Sequence, residues 1–85
     1  MRLWLVERSF DTRNTVTISY ASTDGEQVYR MQATLDRLGW NPATAAVDRD
    51  PGDDRVESVS DEERKQQYAA EARRMAADHD PDEEV

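Results

Sequence analysis

The sequence has 85 residues but no cysteine, a single histidine, a single lysine and only three glycines. Without cysteine the chain can form no disulfide, no thiolate nucleophile and no Cys-based zinc site. So few glycines exclude a glycine-rich phosphate-binding loop. No apolar run approaches the length of a transmembrane helix, so we expect no membrane association. One small domain with a thin core must therefore stabilise itself or use the surface of a partner.

The charge composition is strongly biased toward acid and toward arginine. There are 19 acidic residues against 11 basic ones, and Lys65 is the only lysine. Such a composition is typical of proteins from organisms with a salt-rich cytoplasm, because carboxylates keep a chain hydrated where net charge is screened. A GC-rich genome also favours arginine, so an acidic mesophilic protein is the alternative. We expect a cytoplasmic, salt-adapted protein without a signal peptide.

The net negative charge of the chain comes entirely from its second half. Residues 1–47 carry five acidic and five basic side chains, whereas residues 48–85 carry 14 acidic and six basic ones. This asymmetry indicates a packed module followed by a more solvated part. We predict a single domain over residues 1–79 and a disordered acidic tail over residues 80–85.

A β-hairpin is predicted in the first half. The alternating segments Thr15–Ala21 and Gln27–Ala33 flank Asp24-Gly25, a pair that is typical of a two-residue type I′ turn. The register that this turn implies separates apolar from polar side chains on both strands at once. One face then carries the apolar side chains Val16, Ile18, Tyr20, Tyr29, Met31 and Ala33.

The second hairpin segment also fits a helix. Thr23 and Glu26 match a capping box, and apolar residues from Val28 to Leu38 recur at helical spacing. A helix over residues 26–38 is therefore the alternative. We favour the strand because the hairpin register also explains the pattern of the partner strand.

Leu3–Phe10 is predicted to be a further strand that pairs with the hairpin as an antiparallel meander. A two-residue loop after this strand would place Leu5 opposite Tyr20. A one-residue bulge would instead place Val6 opposite Tyr20 and Phe10 opposite Val16. We favour the bulge because it aligns more apolar side chains on the apolar face of the hairpin.

A C-terminal helix is predicted over residues 61–78. Ser60 and Glu63 form a capping box at its start, and Asp80-Pro81 ends it. We expect its apolar stripe to pack on the apolar face of the hairpin. The stripe consists of Tyr68, Ala69, Ala72, Met75 and Ala76.

These elements define an α+β fold: a three-stranded antiparallel meander with a C-terminal helix across one face. Ala43–Val47 is either one helical turn or a short fourth strand, and the sequence does not separate the two. One helix leaves the other sheet face uncovered. Leu3, Leu5 and one tryptophan would then be exposed, which favours a dimer or a partner.

The candidate metal ligands do not form a recognised motif. Asp48, Asp50 and Asp53 suggest a calcium loop, but Asp53 occupies the position that needs glycine and Val59 the position that needs glutamate. His79 lies among carboxylates at a helix end, where the helix dipole already favours it. We therefore expect no metal and no cofactor.

The sequence favours an interaction module over an enzyme. The chain has a single histidine and no nucleophile motif, so the sequence gives little support for nucleophilic catalysis. The polar hairpin face is the candidate binding face. Our leading hypothesis is a non-catalytic module that acts through a protein partner or as a homodimer. The alternative is a nucleic-acid-binding regulator, although the acidic half repels phosphate. The candidate face carries Thr17, Ser19, Arg30 and Gln32.

Several short stretches together resemble a family of small acidic haloarchaeal proteins of unknown function. They are Met1–Arg8, Tyr20–Glu26, Thr44–Asp48, Tyr68–Ala76 and Asp78–Asp82. The resemblance spans nearly the whole chain and implies adaptation to salt. It brings no activity, cofactor or binding residue.

Overall fold

A computed structural model describes residues 1–10, 14–34, 43–50 and 52–84, which form a five-stranded antiparallel sheet and one helix. The predicted α+β fold with a C-terminal helix across one face is confirmed. The order of strands in the sheet is β4-β1-β2-β3-β5. The elements are β1 (Arg2–Phe10), β2 (Thr15–Ala21), β3 (Gln27–Thr34), β4 (Ala46–Asp48), β5 (Val56–Ser58) and α1 (Glu62–Asp78).

The sheet is wider than the predicted meander because two short strands extend its edges. β4 pairs with β1, which decides in favour of the strand for part of the Ala43–Val47 segment. β5 pairs with the first residues of β3 and was not predicted. Each of these strands has only three residues. So short a segment shows no alternation that a sequence pattern can detect.

The hairpin register is confirmed along its whole length. Ala21 pairs with Val28, Ile18 with Met31, and every pair between them follows the expected order. The helical alternative is wrong for Gln27–Thr34, and its remaining residues 35–38 lie outside the described part of the chain.

The turn of the hairpin differs from the predicted type I′ geometry. Gly25 has φ +73°, whereas Asp24 is not in the left-handed region. The Gly25 amide donates to the Ser22 carbonyl at 2.9 Å. Asp24 Oδ1 accepts from the Ser22 hydroxyl at 2.5 Å and from the Glu26 amide at 3.0 Å. These two hydrogen bonds hold the pKa of Asp24 below its usual value and fix a wider loop with one left-handed residue.

β1 contains a bulge that reconciles its two predicted registers. Phe10 lies opposite Val16, as the bulge predicts, and Leu5 lies opposite Tyr20, as the two-residue loop predicts. The register shifts between Leu5 and Glu7, so Val6 is the extra residue. Each predicted register therefore holds for one half of the strand.

Helix α1 packs on the sheet face opposite to the one predicted. Tyr68 packs with Ala21 and Val28, and Ala72 packs with Trp4. The side chains of this face alternate with those of the apolar hairpin face, so the prediction that the helix covers the latter is wrong. The physical reason is Trp4, whose large apolar side chain lies on this face. Ala72 of the helix is small enough to let α1 approach closely and bury it.

The apolar hairpin face is buried without the helix, because the sheet curls. Val47 from one edge strand and Val56 from the other pack against the same cluster. The expectation of an exposed Leu3 is wrong, since Leu3 is 0% exposed, and Leu5 is half-buried. Trp4 is 7% exposed, and the other tryptophan, Trp40, lies outside the described residues. The buried members of this cluster are Leu3, Val16, Ile18, Tyr20, Tyr29 and Ala33.

The N-terminus of α1 is capped one residue later than predicted. Asp61 Oδ1 accepts from the Glu63 amide at 3.0 Å and from the Arg64 amide at 3.4 Å. A carboxylate replaces the Ser60 hydroxyl in this role because its charge also suits the positive end of the helix dipole.

Within the described ranges, no helix combines the length and the apolar character needed to cross a membrane.

The segment after the helix is hydrogen-bonded to the domain, whereas the sequence predicts a disordered tail from Asp80. The Ala45 amide donates to the Glu83 carbonyl at 2.8 Å, and the Ala46 amide donates to the Pro81 carbonyl at 3.0 Å. Backbone groups provide these bonds, so the composition of the tail gives no sign of them.

Candidate functional site

The four residues of the predicted binding face lie together on β2 and β3, and we call them the polar platform. Thr17 pairs with Gln32, and Ser19 pairs with Arg30. The polar platform continues the sheet face that α1 covers at its other end. Arg30 and Gln32 are exposed, Thr17 is half-buried and Ser19 is buried. Three of the four side chains therefore reach the surface.

Arg30 connects three elements at the edge of the polar platform. Its guanidinium donates to the Glu57 carboxylate of β5 at 2.9 Å and to the Tyr68 hydroxyl of α1 at 3.4 Å. The side chain of Arg30 stays 38% exposed and that of Glu57 67% exposed. An ion pair as exposed as this one contributes only about 0–1 kcal/mol to stability. Glu57 and Tyr68 therefore orient the Arg30 guanidinium and leave part of it accessible for further hydrogen bonds.

Two grooves share Arg64 of α1 as a lining residue, and Arg30 of the polar platform lines the smaller one. One has a volume of about 470 Å³ and is lined by Glu7, Glu71 and the helix. The other has a volume of about 290 Å³ and is lined by Arg30, Glu57 and the start of the helix. The two grooves make the junction between the sheet and the helix an uneven surface.

The charges around this junction are mixed, with acidic side chains in excess. Arg30 and Arg64 contribute positive charge, whereas the negative charge comes from Glu7, Glu57, Asp61 and Glu71. Tyr68, whose hydroxyl accepts from Arg30, is only 6% exposed, so its ring face is not open for stacking. The surface is therefore mixed in charge and rich in hydrogen-bonding groups.

A second group of charged side chains surrounds Tyr29. The Arg49 guanidinium lies 4.5 Å from the centre of the Tyr29 ring, and that of Arg55 lies 5.8 Å from it. Arg55 also pairs with Asp53 at 3.2 Å, which raises the pKa of Arg55 and lowers that of Asp53. This group attaches the loop between β4 and β5 to the sheet.

The remaining candidate ligands are spread along the chain. Asp53 is engaged by Arg55, and the His79 ring contacts the Glu83 carboxylate. In the described ranges, no three His, Asp or Glu side chains come together as a group able to hold a metal ion. His79 is the C-cap of α1, and its amide donates to the Met75 carbonyl at 2.9 Å.

Comparison with known proteins identifies a family but no activity. A family model described as "Family of unknown function (DUF7967)" matches residues 1–85. The chain belongs to the DUF7967 family. No curated protein and no solved structure matches it. Membership of DUF7967 supports the resemblance to an uncharacterised family and leaves the role of the polar platform to physical argument.

The sequence predicts that the four residues of the polar platform share one sheet face, but it does not predict the side chains around them. The sequence predicts that Arg64 and Tyr68 lie on a helix and that Tyr68 belongs to its apolar stripe. The stripe does not reveal which sheet face it covers, because both faces carry apolar residues near the turn. Glu57 belongs to a strand too short for a sequence signal, so its pairing with Arg30 was not foreseeable.

Proposed function

We propose that this protein is a small, salt-adapted interaction module without catalytic activity that binds a protein partner through the polar platform. The observation that carries this proposal is the position of the platform. It continues a sheet face beyond the end covered by α1, and Arg30 and Gln32 remain exposed there. Donors and acceptors held on a rigid sheet suit the recognition of another protein.

The balance of charge favours a protein partner over nucleic acid. Glu7 and Glu57 accompany Arg30 at the junction, so the surface has no excess of positive charge. The net charge of the chain is −8, which repels phosphate. Molar salt also removes most of the affinity gained from counterion release. A nucleic-acid-binding regulator stays the second candidate, since Arg30 and Gln32 have the chemistry for contacts with bases.

Affinity capture from a native high-salt lysate tests the proposal. We expect Arg30→Ala to weaken capture of the partner at least about tenfold, which is about 1.4 kcal/mol. Arg74→Ala is the matched control, because Arg74 is an exposed arginine of α1 that pairs with Glu71. Equal capture by the wild type and by Arg30→Ala would contradict the proposal.

The nucleic-acid alternative has its own measurement. Single-stranded RNA and DNA are titrated into ¹⁵N-labelled protein in molar salt. Our proposal predicts no chemical-shift change at Arg30 or Gln32. Saturable shifts at both residues would support the alternative and overturn the choice of a protein partner.

Salt adaptation predicts that stability falls when salt is removed. The negative charge lies mainly between Asp48 and Asp61 and again after Asp78, so its repulsion is unscreened in dilute buffer. We expect a loss on the order of 1 kcal/mol, or about 4–8 °C in Tm, between molar and millimolar salt. Asp82→Asn combined with Glu84→Gln should reduce this dependence. An unchanged Tm in dilute buffer would contradict salt adaptation.

A further inference from the structure

The outer edge of β3 is only partly covered. β5 pairs with Gln27–Tyr29, and within the described ranges no strand pairs with this edge beyond them. β5 begins only at Val56 because the chain turns just before it, where the Val56 amide donates to the Asp53 carbonyl at 3.0 Å. From Arg30 onward, the edge therefore has room for a further strand.

The hydrogen bonds of the hairpin show which backbone groups of β3 face this edge. The Ser22 amide donates to the Gln27 carbonyl at 3.0 Å. Such pairs recur at every second residue of an antiparallel ladder, so the odd-numbered residues of β3 bond to β2. The amides and carbonyls of Arg30 and Gln32 therefore point outward. Among the residues that the structure describes, none forms a backbone hydrogen bond with these outward groups.

The opposite edge of the sheet, beside β4, is covered by the chain itself. The Ala45 amide donates to the Glu83 carbonyl at 2.8 Å, and Thr44 forms an antiparallel bridge with Glu84. Open edge groups favour pairing with further strands, which is why proteins commonly cover them. The fold thus covers one edge and leaves backbone donors and acceptors available along β3.

The apolar side of the β3 edge favours an apolar side chain on an added strand. β5 places Val56 opposite Tyr29, and both pack in the apolar cluster of the sheet. Met31, the next residue of β3 on this side, packs against the same cluster but stays half-buried. No residue of β5 lies opposite Met31. An apolar residue at that position of an added strand would extend the row that Val56 begins.

The other side of the edge favours polar side chains. Arg30 and Gln32 are exposed there as members of the polar platform. The Glu57 carboxylate of β5 accepts from the Arg30 guanidinium at 2.9 Å, which shows that a neighbouring strand can supply an acceptor to it. A residue opposite Arg30 on an added strand lies on the same face and can accept likewise. The edge therefore fits an extended segment in which polar and apolar residues alternate.

We propose that Arg30–Gln32 is a strand-addition surface, on which the protein partner of the polar platform docks an extended segment antiparallel to β3. Backbone hydrogen bonds to the two outward residues supply affinity, and the alternating side chains supply specificity. This mode of binding rests on the function proposed above, because it specifies how the partner meets the platform. The antiparallel direction continues that of β5, which already pairs with β3 in this way.

A synthetic peptide tests whether the edge accepts a strand. The probe is acetyl-Thr-Val-Thr-Val-Glu-amide, which pairs antiparallel with its glutamate opposite Arg30 and its valines opposite Met31 and Ala33. It is titrated into ¹⁵N-labelled protein in molar salt, and amide hydrogen exchange is measured. With the peptide at about ten times its Kd, we expect the Arg30 and Gln32 amides to exchange about tenfold more slowly. No saturable binding up to about 10 mM peptide would overturn the proposal.

A backbone-methylated peptide is the matched control. It has the same side chains, but a methyl group replaces the hydrogen on the nitrogen of its central threonine, which would donate to the Gln32 carbonyl. We expect it to bind at least about tenfold more weakly. Equal binding of the two peptides would show that side chains alone make the contact. Exchange of the Gln32 amide that slows with protein concentration, without peptide, would identify a second copy as the occupant. Either result overturns the proposal.

Two variants at Gln32 separate the mode of binding from the proposed function. Gln32→Pro removes the outward N–H, which an edge strand tolerates, whereas Gln32→Ala keeps it. Both lose the side chain, so the difference in partner capture between them reports the N–H alone. We expect Gln32→Pro to capture about fivefold less than Gln32→Ala. Equal capture by these two, with capture still weakened in Arg30→Ala, would overturn strand addition alone. Equal capture by Arg30→Ala and the wild type would overturn the proposed function.

Discussion

Gly25→Ala should lower the free energy of unfolding by about 2–4 kcal/mol, as the sum of backbone strain and overpacking. Gly25 has φ +73°, which costs an L side chain roughly 1–2 kcal/mol. A Cβ at this position would overlap the Lys65 carbonyl oxygen and lie 3.0 Å from the Ala69 amide nitrogen. Both atoms belong to the helix backbone and cannot move aside locally. Urea denaturation in molar salt measures the loss.

Gly52→Ala is the matched control for this substitution. A Cβ at Gly52 meets no atom within 4 Å, and its φ is outside the left-handed region. We expect its free energy of unfolding to stay within about 0.5 kcal/mol of the wild type. Equal stabilities of the two alanine variants would show that the helix does not lie against the hairpin turn.

Gly25 has two structural roles, of which the sequence predicts only one. The Asp-Gly pair predicts the hairpin and its register, because turn chemistry and alternation are local properties. Because this glycine has no Cβ, the helix backbone at Lys65 can also approach it closely. Lys65 lies 40 residues further along the chain. Local patterns carry no information about that approach. The turn geometry was predicted incorrectly for a related reason, since Ser22 and Asp24 form side-chain hydrogen bonds that compete with a type I′ turn.

The choice of sheet face was the main structural prediction that failed. Both hairpin faces carry apolar residues near the turn, and the sequence indicated the face with the longer apolar row. That row is instead covered by the curl of the sheet, which depends on edge strands of three residues each. The four residues of the polar platform share one sheet face, as the predicted register requires, and their role in binding stays a prediction. Its neighbours Glu57 and Tyr68 depend on those edge strands and on the helix, and were not predicted.

Attachment of the C-terminal segment was missed because its bonds are made by the backbone. Composition predicts disorder for Asp80–Val85 since the segment has little to bury. The edge at Ala45 and Ala46 offers two amides that can donate to any carbonyl in the correct position. Side-chain patterns do not report such an edge, so composition gives no sign of these hydrogen bonds.

Trp4→Ala should be among the most destabilising single substitutions in the described part of the chain. Trp4 is 7% exposed and packs with Ala45, Ala46 and Ala72. Removing a buried tryptophan costs about 3–5 kcal/mol, because the apolar contact is lost and a cavity stays behind. We expect this loss in urea denaturation, together with faster hydrogen exchange of the Ala69 and Ala72 amides, since the helix loses its main support on β1.

Phe10→Ala separates this effect from a general loss of aromatic surface. Phe10 lies on the same strand but is 67% exposed, so its removal should change the free energy of unfolding by less than about 1 kcal/mol. The pair also tests which face the helix covers. If α1 packed on the apolar hairpin face, Trp4→Ala would speed exchange of the helix amides no more than that of the β2 and β3 amides. A larger increase in the helix than in β2 and β3, together with unchanged exchange in Phe10→Ala, is expected if Trp4 supports the helix directly.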